Sequence, residues 1–345
     1  MNGPFCLVVN PSAGRGRSLR VLPEVTAVLD AAGAAYQVRP SASLQDARDI
    51  AAGAARLGHV VVAVGGDGLA GALAGPAASA GAGLGIIPAG NGNDLARVLG
   101  IPSGAAAARV LVSGRERRVD LISVAADGGP EVIVAGSVYL GLPSVAGEIA
   151  NRTRWLRGPA VYPAAALRAL AGWTPAGFRV EVGGQEPVGG GPERDFAGYA
   201  VVVANAAYFG AGMMVAPLAE IDDGLLDVVV MRHGSRLAFL NVLMKIKSGS
   251  HLGLPLVSTA RGADVTVTAG RDLPAAADGE TLACAAPLRS GVTLRIRAMP
   301  GVLRALAPGR GVAARERPTM PAAGAPADPA ARDSPTRRPG PAGGR

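Results

Sequence analysis

Val60-Val61-Val62-Ala63-Val64-Gly65-Gly66-Asp67-Gly68 is the stretch whose reading decides the fold. An unbroken, mostly β-branched run with Gly58 before it and Gly65 after it describes a strand buried on both faces. Strands of that kind belong to parallel sheets covered by helices. The chain on either side agrees. Cys6–Val9, Tyr36–Arg39 and Leu84–Ile87 read as further strands, and Leu19–Ala32 and Leu44–Leu57 carry helical spacing between them. This β-α-β-α rhythm predicts an α/β N-terminal domain with a parallel sheet.

From about Asp120 the rhythm changes. Val119–Ala125, Glu131–Val138, Phe178–Val182, Tyr199–Ala204, Asp227–Met231, Asp264–Thr268 and Val292–Ile296 read as strands, and one strong helical pattern, around Pro159–Ala171, interrupts them. Many strands between glycine-rich turns predict a C-terminal β-sandwich-like domain. Gly183–Pro192 reads as a hairpin or loop. The expected boundaries are residues 1–123, a β-rich domain over 124–290, a segment 291–307 returning to the first domain, and a disordered basic tail over 308–345. Phe196–Ala219 is uncharged and long enough to span a bilayer. However, Asn205, Pro217, several glycines and the Val-rich Tyr199–Ala204 favour a buried strand plus a glycine loop.

Charge and cysteine content exclude some functions. The net charge is +8, of which residues 310–345 supply +4, so the remainder is only mildly basic. Aromatics are few and no basic stripe stands out, which argues against nucleic acid and leaves a weak attraction to anionic lipid open. Cys6 and Cys284 offer no zinc spacing and fit a reducing, cytoplasmic setting. No signal peptide is read at the N-terminus. Arg152, Arg154, Trp155 and Arg157 read either as an interfacial patch or as a solvated turn. His59, His233 and His251 are isolated and read as structural.

The chemistry lies in the turns. In Gly65-Gly66-Asp67-Gly68, glycine lets successive N–H groups approach a phosphate, and the helix expected from Leu69 favours anions at its start. Asp67 there suits a Mg²⁺ beside the phosphates, a ribose or a donor network; the plainer reading is an N-cap. Gly66, Gly68 and Gly71 also spell a dinucleotide fingerprint, which lacks the ribose-binding acid about 20 residues on. A second strand-turn-helix follows in Pro88-Ala89-Gly90-Asn91-Gly92-Asn93-Asp94-Leu95-Ala96-Arg97, with Asn93 or Asp94 as cap. Asn10-Pro11-Ser12-Ala13-Gly14 follows the first strand. In a parallel sheet all three loops share the C-terminal rim, where ligands bind.

These stretches resemble the diacylglycerol kinase catalytic-domain family, which includes sphingosine, ceramide and bacterial lipid kinases. Asn205-Ala206-Ala207-Tyr208-Phe209-Gly210-Ala211-Gly212-Met213, Asp222-Asp223-Gly224-Leu225-Leu226-Asp227 and Asp278-Gly279-Glu280 extend the resemblance over about residues 5 to 307. It implies a two-domain architecture like that of NAD kinases and diacylglycerol kinases. It also implies an ATP-dependent lipid kinase, most readily making phosphatidic acid from diacylglycerol. By the same resemblance Gly65, Gly66, Asp67, Gly68, Asn91, Asn93 and Asp94 bind ATP, and Asn10, Pro11, Ser12, Gly14 and Ser41 line it. Asp223 is implied as a Mg²⁺ ligand, with carbonyls of Glu220 and Leu225 beside it and Asp120 supporting the metal network. The base is implied to be Glu280 or Asp278. The lipid is met at the inner membrane surface, and a homodimer is left open.

Taken alone, Asp222-Asp223-Gly224 is also ordinary turn chemistry and Asp278-Gly279-Glu280 an ordinary hairpin. Leu69 and Asn91 stand where the family usually has Thr, and Leu69 cannot donate a hydroxyl hydrogen bond to phosphate. Two other functions therefore compete: a NAD kinase-like enzyme, and a catalytically impaired nucleotide- or lipid-binding protein.

Overall fold

A computed structural model describes residues 3–152, 161–183, 195–210, 212–282 and 289–309. Arg154, Trp155, Arg157, Cys284, nearly all of the Gly183–Pro192 loop and the tail from Arg310 lie outside the described residues. The N-terminal part runs β1 (Phe5–Val9), α1 (Arg17–Ala31), β2 (Tyr36–Pro40), α2 (Leu44–Arg56), β3 (Val60–Gly65), α3 (Asp67–Ser79), β4 (Gly83–Pro88), α4 (Asp94–Val98) and α5 (Ala105–Ser113). Its strands pair in parallel in the order β4-β3-β1-β2. Every residue of β1, β3 and β4 is buried, as the continuous apolar runs require.

The remainder is strand-rich. It comprises β5 (Arg115–Ala126), β6 (Val132–Val134), β7 (Ser137–Gly141), α6 (Leu142–Arg152), α7 (Val161–Gly172), β8 (Ala176–Val182) and β9 (Asp195–Ala204). Then follow β10 (Leu226–Arg232), α8 (Arg236–Ile246), β11 (Val257–Gly262), β12 (Asp264–Ala269), β13 (Ala275–Ala277), β14 (Glu280–Thr281) and β15 (Thr293–Ala307). The strands form a β-sandwich-like second part with its own apolar cluster, which centres on β9, β10 and β12. A separate cluster fills the α/β part. The long β15 joins them. Its first half is antiparallel to β12, its length runs antiparallel to β5, and Arg304–Ala305 pairs in parallel with β4.

Several expectations need correction. Leu142–Arg152 and Arg236–Ile246 are helices in addition to the one foreseen. The first carries Pro and Gly, and the second has apolar residues on its outer as well as its inner face, so neither shows a clean helical period. The expected strand Glu131–Val138 is two strands, because Ala135-Gly136 turns aside to serve another residue. The expected strand Tyr199–Ala204 is the end of the longer β9, and among the described residues no helix is long and apolar enough to cross a membrane.

Candidate functional site

Three loops meet at the C-terminal ends of β1, β3 and β4. Backbone bonds stitch them together: Asn10 N–H donates to Val64 O (3.3 Å) and Ala89 N–H to Gly65 O (2.7 Å). The loops touch through glycine. A Cβ on Gly66 would lie 3.1 Å from Gly90 Cα, so neither position leaves room for a side chain. In the first loop Asn10 Oδ1 accepts from the N–H and hydroxyl of Ser12 (3.1 and 2.8 Å), and Gly14 takes a left-handed φ of +54°. Pro11 and Gly14 are half-buried. In the second loop Asn93, itself at φ +56°, folds its amide back on Gly90, accepting from its N–H (2.8 Å) and donating to its O (3.1 Å). Asn91 is exposed at the loop tip. Ser41 is buried at the end of β2, and its hydroxyl donates to Val9 O (3.1 Å).

Asp67 is the first residue of α3, and Gly66 is its cap. The carboxylate does not cap its own helix. Oδ1 accepts from Leu95 N–H (3.1 Å), which locks the two glycine turns in register. Leu69 and Ala70 N–H both donate to Gly66 O (3.1 Å each), which leaves the Asp67 and Gly68 amides as the open donors of the first turn, with the helix dipole behind them. Asp94 is buried at the start of α4, 3.8 Å from Arg97 Nε. Leu69 is 2% exposed and packs against Gly65 from below. Its side chain is therefore a core element rather than a group on the phosphate face.

The late carboxylate turn stands opposite this rim. Asp278, at φ +48°, receives three backbone N–H groups, from Ala135 (2.8 Å), Gly136 (2.9 Å) and Ser137 (3.0 Å). A Cβ on Gly71 would come within 2.8 Å of its Oδ2, so the turn is pressed against α3. Desolvation raises the Asp278 carboxyl above its ordinary range, against the pull of those three donors. Glu280 is exposed, and its Oε1 would lie 3.5 Å from a Cβ placed on Gly68. Desolvation raises its carboxyl as well, while the Arg48 guanidinium of α2 draws it down. Of the two acids that the sequence left equal, Asp278 is committed to the backbone and Glu280 is aimed at the helix start.

The expected metal residues behave differently. Asp120 is buried, and its two oxygens accept from Gly224 N–H (2.6 Å) and Gly301 N–H (2.7 Å). Asp223 Oδ1 accepts from Leu225 N–H (2.9 Å), and its Oδ2 pairs with the Arg261 guanidinium, which also reaches Asp227 (3.3 Å). Glu220 precedes the turn. Among the described residues no three His, Cys, Asp or Glu side chains are grouped to hold a metal ion. As arranged, the Arg261 guanidinium supplies the positive charge at Asp223.

Sequence reasoning missed Tyr139 and Arg17, and it quoted Arg97, Asn205, Tyr208 and Phe209 as motif residues without giving them these contacts. Tyr139 Oη accepts from Gly279 N–H (3.2 Å), and its ring lies 4.2 Å from that of Phe209. Arg17 donates to Gly90 O (2.6 Å), and Arg97 covers the Tyr208 ring at 5.4 Å. Buried Asn205 donates to Asp120 O (2.8 Å) and Ala135 O (3.1 Å). None of these contacts has a signal in the sequence, since each joins segments far apart in the chain.

Comparison with known proteins bears on this geometry. Residues 4–124 match the family described as the diacylglycerol kinase catalytic domain, and residues 136–307 match the YegS C-terminal NAD kinase beta sandwich-like domain. A diacylglycerol kinase of Mycobacterium tuberculosis (strain ATCC 25618 / H37Rv) is 32% identical over 313 residues, covering 90% of this chain and 96% of that protein. A diacylglycerol kinase of Bacillus subtilis (strain 168) is 24% identical, covering 79% and 88%. The crystal structure of a diacylglycerol kinase from Bacillus anthracis str. Sterne shares the fold, with a TM-score of 0.63 at 20% identity over 88% of this chain and 96% of that one.

Proposed function

The chain belongs to the diacylglycerol kinase and YegS family of lipid kinases, and from that premise we propose that it transfers the γ-phosphate of ATP to the free hydroxyl of diacylglycerol, yielding phosphatidic acid and ADP. The observation that carries this reading is the placement of the Glu280 carboxylate beside Gly68, at the open N-terminus of α3.

Phosphoryl transfer needs positioning and charge neutralisation more than covalent help from the protein. In this reading the amides of Gly66 to Gly68 and the dipole of α3 face the ATP phosphates, with Asn10, Asn91 and Asn93 around the nucleotide. The Mg²⁺ that accompanies ATP enters with the substrate. Asp67 and Asp94 are the acids of the rim, and Asp67 also holds the two turns in register through Leu95. Glu280 takes the proton of the lipid hydroxyl as its oxygen bonds to the γ-phosphorus and the bond to the β–γ bridging oxygen breaks. Asp278 anchors the turn on Ala135–Ser137 and so fixes where Glu280 points. A carboxyl raised by desolvation is a stronger base than one in water, which suits this role.

The test is transfer of labelled γ-phosphate from ATP to diacylglycerol in mixed micelles, with a sphingoid base and soluble NAD as alternative acceptors. Transfer to diacylglycerol above both others is expected. A folded protein that phosphorylates no lipid in the presence of Mg²⁺ overturns the reading, and transfer to NAD replaces it.

A further inference from the structure

α8 buries Phe239, Val242 and Ile246 on the second core and turns a different face outward. That face carries Leu237 and Met244, 79% and 75% exposed, the two most exposed large apolar side chains among the described residues. They stand two helical turns apart on one stripe, with half-exposed Leu240 between them. The charges around the stripe share one sign. Arg236 opens the helix, and Lys245 and Lys247 close it; these are the only two lysines in the chain. No Asp or Glu occurs between Asp227 and Asp264. Among the described residues none of the three cations has an ion-pair partner.

We propose that this face of α8 docks on an anionic phospholipid bilayer. An apolar stripe edged by unpaired cations suits an interface that is oily within and negative at its surface, and lysine stems can lie along the oil while their heads stay wet. A second copy of the chain does not match, because two such faces would bring like charges together. The helix also has a physical line to the catalytic turn. Ile246 O accepts from Met214 N–H (3.1 Å), Met213 bridges to Phe209, Phe209 lies on Tyr139, and Tyr139 holds Gly279. Docking α8 would bring to the bilayer the residues Phe209, Met213 and Met214, which reach the Asp278–Glu280 turn through Tyr139. The purpose of the docking rests on the lipid-kinase reading; its test does not.

The experiment is co-sedimentation of the full chain with vesicles of phosphatidylcholine alone and of phosphatidylcholine with phosphatidylglycerol. Wild type is compared with Leu237→Gln/Met244→Gln and Lys245→Gln/Lys247→Gln. Wild type is expected to favour the anionic vesicles and to release with salt, and each double variant is expected to bind them about tenfold or more weakly. All four positions are exposed, so melting temperature and transfer to a short-chain, water-soluble diacylglycerol are expected to stay at wild-type levels. Double variants that bind like wild type, or a wild type that ignores both vesicles, overturn the proposal. So does a wild-type dimer that Leu237→Gln/Met244→Gln dissociates. A wild type that docks through α8 yet phosphorylates no lipid leaves the docking supported and removes the proposed activity instead.

Discussion

In the turn from Asp222 to Asp227 every carboxylate has a cationic partner. Asp222 pairs with Arg117 (2.8 Å), and Asp223 and Asp227 share Arg261. In the turn from Asp278 to Glu280 one carboxylate is saturated by backbone amides, and the other has no hydrogen bond or ion pair among the described residues. Both turns place acids around a glycine beside a strand. The first is built as a clasp, closing the two-stranded join of β5 and β15 through Asp120. The second is built as a bracket, spending Asp278 on support so that Glu280 can stand unpartnered before the rim. In the proposed mechanism, the reactive acid is the one its turn leaves unpaired.

The sharpest break would come at the bracket. Glu280→Gln keeps shape and removes the proposed base, so turnover is expected to fall about 100-fold or more with melting temperature unchanged. The pH profile carries a further signature. Only ionised Glu280 accepts a proton, and its carboxyl is raised, so the acid limb of kcat is expected above the ordinary carboxylate range. Arg48→Gln removes the opposing pull and should move that limb to still higher pH. Asp278→Asn is expected to cost both activity and structure: roughly tenfold in turnover, and about 1–3 kcal/mol because one side-chain oxygen cannot satisfy three amides. Wild-type turnover in Glu280→Gln would erase the distinction between the turns.

At the clasp, Arg261→Gln is expected to lower stability by about 1–2 kcal/mol and leave turnover of the folded protein within about threefold. Burial already raises the Asp227 carboxyl and Arg261 draws it down, so the substitution raises it further. A folded-state pKa above the unfolded one means the folded state holds the proton longer, and stability is lost as pH rises through it. The deficit should therefore be small near pH 4 (about the ordinary Asp value) and larger at neutrality, in denaturant titrations at both. A collapse of turnover would mean the clasp takes part in catalysis.

Much of the donor side was legible in the sequence because strand, glycine and helix start are local. The Val60–Val64 run dictated a buried parallel strand, and the turns after β3 and β4 could only meet on one rim. The acceptor side was not, because its logic is long-range. Nothing near Asp278 announces that Ala135, Gly136 and Ser137 wait for it, and the same demand split the expected strand there in two. Leu69 looked like a defect in the phosphate loop. Its burial under Gly65 makes it a packing residue, a role that depends on what lies beneath the loop. Arg261, distant in sequence, changed the meaning of Asp223 from an open oxygen to half of an ion pair.

The finest test of the comparison is Asp222→Asn. Asp222 has the most exposed carboxylate of the clasp, 27% against 13% for Asp227, while the two arginine partners are equally exposed, so water screens its pair most. Exposed pairs of this kind contribute about 0.2–1 kcal/mol, and the contribution shrinks as salt is added. The substitution is therefore expected to lower stability by no more than that, with the difference from wild type narrowing between low and high salt and turnover unchanged. The gradient within one turn then follows exposure, from Asp222 to the better buried Asp227. A loss as large as that of Arg261→Gln, insensitive to salt, would mean that the clasp closes mainly through Asp222 and Arg117 of β5 rather than through Arg261 of β11.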